Sequence, residues 1–195
     1  GIVVGGIRKE KKMETVERND TLLSLSGLNC ALCPMYIDKY CPGCGGGPGN
    51  QSCAIARCRL QHGDIEYCCQ CPDYPCEKYR DIDKYDSFIT HKNQLKDMDR
   101  LISIGTERYH SELKEKMQIL RYLLDNFNDG RRKSFFCMAV NLIEIEDLKS
   151  AVKEIEEEVS GKELTVKEKA VISVEILKSA AARKNIVLKL RKKEK

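Results

Sequence analysis

The chain has 195 residues, 33% of them charged and 6% aromatic, with no tryptophan and a formal net charge of +4. That length suits one domain of ordinary size, or a small module joined to a larger one, and the composition is that of charged helices around an aliphatic core. No stretch reads as a transmembrane span, a lipidation box or an internal repeat, which argues against a membrane partner and against a repeat array.

Residues 1–20 lack apolar periodicity and are rich in charge, so they read as a flexible leader with Gly1 as a cleavage scar. The leader has no apolar segment long enough for a secretory signal, which points to a reducing cytoplasmic setting. Thr21 to Gly27 is an apolar, serine-spaced lead-in to a cysteine-rich module over 21–80, and a helical domain with a basic tail follows over 81–195.

Ten of the eleven cysteines lie between Cys30 and Cys76. Two thiolates separated by two residues can grip one tetrahedral ion from a single turn, and Cys30/Cys33 with Cys41/Cys44 supply two such pairs. Gly43 and Gly45 follow where a metal knuckle must fold its backbone back toward the sulfurs, a shape that often needs positive φ. The Cys44–Asn50 run of glycines cannot hold a helix or strand and forms a tight loop. Ser52 to Leu60 can make two helical turns carrying Cys53 and Cys58, and Cys68, Cys71 and Cys76 complete the set. The metal ligands read from spacing are therefore Cys30, Cys33, Cys41, Cys44, Cys53, Cys58, Cys68, Cys71 and Cys76, sufficient for about two zinc ions with an excess. An iron–sulfur cluster or redox thiols is the alternative, although the run matches no ferredoxin spacing, and disulfides are the bland reading of clustered cysteines. His62, four residues after Cys58, is a further potential ligand, but a lone histidine beside a glycine is more often simply exposed.

Beyond Cys76 helical periodicity begins. Phe88, Leu95, Met98 and Ile102 recur at helical steps up to Gly105; Tyr109, Leu113, Met117, Leu120, Leu124 and Phe127 mark a second helix ended by Asn128-Asp129-Gly130. The apolar run Ser134 to Ile143 predicts a third, buried helix that carries Cys137 as a core thiol remote from the metal cluster. Leu148, Val152, Ile155 and Val159 mark a fourth, closed by Gly161. A fifth opens on a capping box from Thr165 to Glu168, shows Val171, Val174, Leu177 and Ala181 on one face, and closes at Asn185 in the left-handed region. Ile186 to Arg191 alternates weakly and predicts a short C-terminal strand. The expected fold class is mainly α: an irregular cysteine-rich module, then a bundle of about five helices. His91 and His110 are expected on helix surfaces. Arg131 and Arg132 beside Asp129 read as a cap with a solvated charge cluster, or as a site for an anion that suits arginine's fork.

The motifs G-L-N-C-A-L-C-P at Gly27 to Pro34, C-P-G-C at Cys41 to Cys44, the Cys53/Cys58 pair and C-C-Q-C-P-D-Y-P-C at Cys68 to Cys76 resemble the cysteine-rich prokaryotic family designated domain of unknown function 3795. Longer members look similar across Asp129 to Leu142 and in the terminal I-V-L-K-L-R. The resemblance implies zinc binding and names no activity. Cys69 lies outside the family pattern, which marks it as the non-ligand.

Three functions compete on these residues. A zinc-stabilised binding module, with a protein or small ligand as partner, needs only closed four-thiolate sites. An enzyme or redox protein needs an open coordination position and a nearby base, and no catalytic constellation is visible. Nucleic-acid binding draws on the basic tail from Arg183 to Lys195, with seven basic residues against Glu194. Against it, Cys30 to Cys76 carries three basic residues (Lys39, Arg57, Arg59) and four acidic ones (Asp38, Asp64, Glu66, Asp73), and its tyrosines lack interleaved cations.

Overall fold

The computed structural model describes residues 14–193. Of the leader expected over 1–20, Gly1 and the charged run to residue 13 lie outside the described residues, as do Glu194 and Lys195 of the tail. The rest of the expected leader is anchored at two points: Val16 is buried, and the Arg18 side chain has 0% exposure.

Seven α-helices form among the described residues, and no strand. Two are short and belong to the cysteine-rich part, α1 (Pro34–Ile37) and α2 (Ala54–Arg59), with single 3-10 turns at Cys30–Leu32, Cys68–Gln70 and Glu77–Tyr79. Pro34 opens α1, where the missing N–H costs nothing because first-turn donors have no intrahelical partner. The five long helices are α3 (Gln94–Ile104), α4 (Thr106–Phe127), α5 (Lys133–Leu142), α6 (Ile145–Val159) and α7 (Val166–Ala182). The mainly α architecture with about five bundle helices is thus present.

The long helices bury apolar faces at helical spacing: Tyr109, Leu113, Leu120 and Phe127 on α4, Leu148, Ala151 and Ile155 on α6. The joints are made by side chains and by glycines in the left-handed region. Gly105, at φ 84°, ends α3 and caps α4 at once, so the chain changes direction over one residue. Between α4 and α5, the Asn128 side chain accepts hydrogen bonds from the backbone of Gly130 and Arg132, both at 3.1 Å. At the start of α7 the capping box closes: Thr165 Oγ1 accepts from the Glu168 N–H at 3.2 Å, and Glu168 returns the bond to the Thr165 N–H at 2.8 Å. Asn185 adopts φ 57°, as expected of the residue that closes α7.

Several expectations need correction. Phe88 precedes α3 and is 69% exposed, Ile102 is exposed, and α3 instead buries Gln94, Met98 and Leu101. Val171 is exposed, and α7 turns Ala170, Val174, Leu177 and Ala181 inward. The strand expected over Ile186 to Arg191 is absent. The segment runs without regular structure along the loop before α3, held by a backbone bond from Asp86 to the Arg191 carbonyl (2.8 Å) and by Lys92 Nζ donating to the carbonyls of Val187 (2.6 Å) and Lys189 (2.9 Å). Side chains replace the ladder that a strand would need.

One apolar cluster runs through both halves. Leu23, Leu32 and Tyr67 from the cysteine-rich part join Leu113, Leu123, Phe136, Val140, Leu148 and Leu177 from the helices. The 3-10 turn at Cys30–Leu32 touches both α4 and α5, so Leu32 is the plug between the halves.

Candidate metal centre

All eleven cysteines are free thiols, and eight of the nine expected as ligands fall into two neighbouring groups. Cys30, Cys33, Cys41 and Cys44 form the first. The Cys30 thiol is pushed up to about 12, mostly by burial and further by Cys44, Cys33 and Cys41, while the Cys44 backbone N–H pulls the other way. Burial also raises Cys33, against the backbone N–H groups of Met35 and Tyr36, and Cys41 adds to the rise. Asn50 Nδ2 reaches Cys41 Sγ at 3.5 Å. Gly43 and Gly45 sit at φ 85° and 80°. A Cβ at Gly43 would come within 2.5 Å of the Thr21 carbonyl oxygen, and one at Gly45 within 2.7 Å of Arg18, so only glycine lets the knuckle close.

Cys58, Cys68, Cys71 and Cys76 form the second group, around a cavity of about 30 Å³ roofed by Leu25, Ile55 and Tyr79. The four thiols arrive on three short elements: Cys58 on α2, Cys68 and Cys71 at the two ends of one 3-10 turn, and Cys76 at the start of the next. The Cys68 thiol is raised to about 11 by burial, with Cys76, Cys58 and Cys44 adding to it and the Tyr79 hydroxyl opposing. Cys44 therefore lies close enough to bring the two groups side by side.

His62 lines the same cavity. Its Nδ1 lies 2.9 Å from the Cys58 carbonyl oxygen and 3.5 Å from Cys58 Sγ. Among the described residues, His62, Cys71 and Asp73 form a group whose donor atoms all lie within 4.8 Å of one another and could hold a metal ion. Asp73 was not foreseen; its place inside C-P-D-Y-P-C, next to two expected ligands, was the available signal.

The donor chemistry fits a metal ion. Buried thiols crowded together stay protonated in the absence of a cation, because every thiolate is desolvated and repelled by its neighbours. A divalent ion reverses both terms, and backbone N–H groups already directed at Cys30 and Cys33 favour the thiolate form.

Three cysteines lie outside the two groups. Cys53, expected as a ligand, caps the N-terminus of α2 and is exposed. Cys69 packs against the apolar core. Cys137 is buried in α5 as expected but is not remote: Cys33 is near enough to raise it, after burial, to about 12.

Arg18 holds the module together from the segment expected to be flexible. Its guanidinium donates to the carbonyls of Cys44 (2.8 Å), Asp20 (2.8 Å), Leu23 (3.1 Å) and Glu66 (2.6 Å). It thus ties the first knuckle to the loop between Cys58 and Cys68 of the second group. His110, expected on a helix surface, places Nε2 2.7 Å from Asp20 Oδ2, which also accepts from the Tyr67 hydroxyl at 2.5 Å. His91 lies before α3 rather than on it, with Nε2 3.0 Å from Ser87 Oγ. Of the two arginines read as a solvated charge cluster beside a cap, or alternatively as an anion site, Arg132 pairs with Asp129 at 3.4 Å, while the Arg131 side chain makes no ion pair among the described residues.

No helix among the described residues is long and apolar enough to cross a membrane. Compared with family models, curated proteins and solved structures, the chain finds no match.

Proposed function

We propose that the chain is a zinc-binding protein with two closed four-thiolate sites, one on Cys30, Cys33, Cys41 and Cys44 and the other on Cys58, Cys68, Cys71 and Cys76, and that it acts as a binding protein without turnover at the metal. The observation that carries this reading is the crowding of Cys33, Cys41 and Cys44 around Cys30 and of Cys58, Cys68, Cys71 and Cys76 around one cavity. The cysteine pattern's resemblance to a zinc-binding family supports it too. A zinc ion saturated by thiolates has no position left for water or substrate, and electron donation from sulfur weakens it as a Lewis acid. Its contribution is then to folding, on the order of 10 kcal/mol in small modules. The 3-10 turns and four- to six-residue helices here are too short to be stable by their own backbone bonds, so the metal would add to what Leu32 and Arg18 supply.

The convergence of His62 and Asp73 on Cys71 favours one second reading, in which the second ion is held partly by these residues and keeps an open position. Elemental analysis of protein purified without contact with affinity metals tests both. Two zinc ions per chain are expected, falling to about one in Cys44→Ser and unchanged in Cys69→Ser, Cys53→Ser and His62→Ala. Loss of an ion in His62→Ala would move the reading to the open site, and iron with a visible cluster absorption band would overturn zinc altogether.

A further inference from the structure

A second cavity, of about 230 Å³, opens where the turn before Cys30 meets α3, α4 and α5. Its wall is crowded with charge, but most of that charge is already matched. Lys96 Nζ pairs with Glu144 at 2.8 Å, Arg100 grips Glu112 through two bonds of 2.8 and 2.6 Å, and Glu146 faces Lys149 at 3.4 Å. Asp97 and Lys116 are the exceptions: they are close enough for each to shift the other's ionisation, yet no nitrogen–oxygen contact within 4.0 Å joins them.

Both keep bonding capacity unspent. Asp97 Oδ2 accepts from the side-chain amides of Asn29 (2.9 Å) and Asn93 (2.5 Å), while Oδ1 accepts no hydrogen bond. Lys116 Nζ donates once, to the Asn141 carbonyl at 3.2 Å, which leaves two of its three protons. Each side chain is half-buried at the cavity wall, and burial is the largest influence on the ionisation of both. Burial raises the Asp97 carboxyl to about 6 and lowers the Lys116 ammonium to about 8, and the charge of each opposes the shift of the other.

The amides that frame the site are locked. Asn141 Oδ1 accepts from both Asn29 and Asn93 at 2.9 Å, and the Tyr109 hydroxyl donates to Asn29 Oδ1 at 2.7 Å. A desolvated anion and a desolvated cation, held apart on rigid supports, are each costly without a partner. The ligand that relieves both at once carries the two opposite charges on one small frame.

We propose that this cavity binds a free α-amino acid with a small apolar side chain, its ammonium on Asp97 Oδ1, its carboxylate on Lys116 Nζ, and its side chain toward Leu113, Leu142 and Ile145. The volume is below the range for drug-sized ligands and has no room for a nucleotide or a peptide segment. The site goes beyond the metal reading and does not depend on it, since neither charged group touches a cysteine.

The test is calorimetric titration of the metal-replete full chain with glycine, L-alanine and L-valine, with acetate and methylamine as single-charge controls. Saturable binding of alanine or valine is expected, with each control at least about tenfold weaker, and Lys116→Met and Asp97→Asn should each cost about tenfold or more. Should either variant misfold, the wild-type chain still decides: the bound amino acid should shift the side-chain amide resonances of Asn29, Asn93 and Asn141. No saturation by any of the three amino acids, acetate binding as well as alanine, affinity unchanged in both folded variants, or shifts confined to another part of the chain would each overturn the proposal.

Discussion

Asp20 shows how one residue outside the cysteine pattern joins the two halves. Its Oδ1 accepts from the backbone of Leu22 and Leu23 (2.9 and 3.2 Å), and its Oδ2 receives Tyr67 and His110. Burial alone would raise the carboxyl; the Tyr67 and His110 bonds and the Leu23 N–H outweigh that and leave it below its ordinary value. A carboxyl lowered in the folded state adds stability that is complete above the unfolded value, about 3.9, and disappears as pH falls through the folded one. Asp20→Asn should therefore lower the melting temperature at pH 7 and lose less than the wild type between pH 5 and pH 3. Thermal melts across that range check it; parallel acid limbs for the two proteins would show that Asp20 is not the titrating group.

At the scale of elements, the caps and the tail clasp carry the testable weight. Thr165→Ala removes the acceptor for the Glu168 N–H and should cost about 1 kcal/mol in denaturant unfolding, a typical loss for a Thr cap. The tail depends on Asp86, whose side chain is wholly buried: Oδ2 accepts from the Arg191 backbone N–H at 2.6 Å, while Oδ1 lies 3.2 Å from its guanidinium and accepts from the His91 backbone at 2.7 Å. Asp86→Ala should release residues 186–191, so that trypsin cuts at Lys189 and Arg191 well before the helices are attacked. Cleavage at the wild-type rate would mean that Lys92, the Asp86 backbone bond and the partly buried Ile186 and Leu188 hold the segment without the Asp86 carboxylate.

For the whole molecule, the shared core makes the two halves thermodynamically one. Leu32 is 0% exposed, and Leu32→Ala should cost roughly 2–5 kcal/mol, since the cavity opens between the module and two helices. Stripping the metal with a chelator should likewise lower the melting temperature of the entire chain in a single transition. A helical half that melts at an unchanged temperature after chelation, seen by calorimetry, would show instead that the halves are independent units.

The periodic features were legible from the residues alone: five long helices, the breaks at Gly105, Gly130 and Gly161, the Thr165 box, the knuckle glycines and the crowding of cysteines. Each is a local rule, set by the 3.6-residue repeat, by the backbone angles that glycine permits, by a side chain that caps its own helix or by the close spacing of like residues. What had no local signature was which distant groups meet. Arg18 sits in a charged segment, and nothing near it announces four carbonyls from three loops. Cys53 and Cys58 look equivalent in spacing, yet a short helix turns Cys58 inward and leaves Cys53 exposed as its cap. The alternation from Ile186 to Arg191 fits a strand, but a strand needs a partner edge, and the fold offers Asp86 and Lys92 instead. Asp97 and Lys116 are ordinary charges on two amphipathic helices until packing brings them to one cavity, because burial and partnership are properties of the assembled chain.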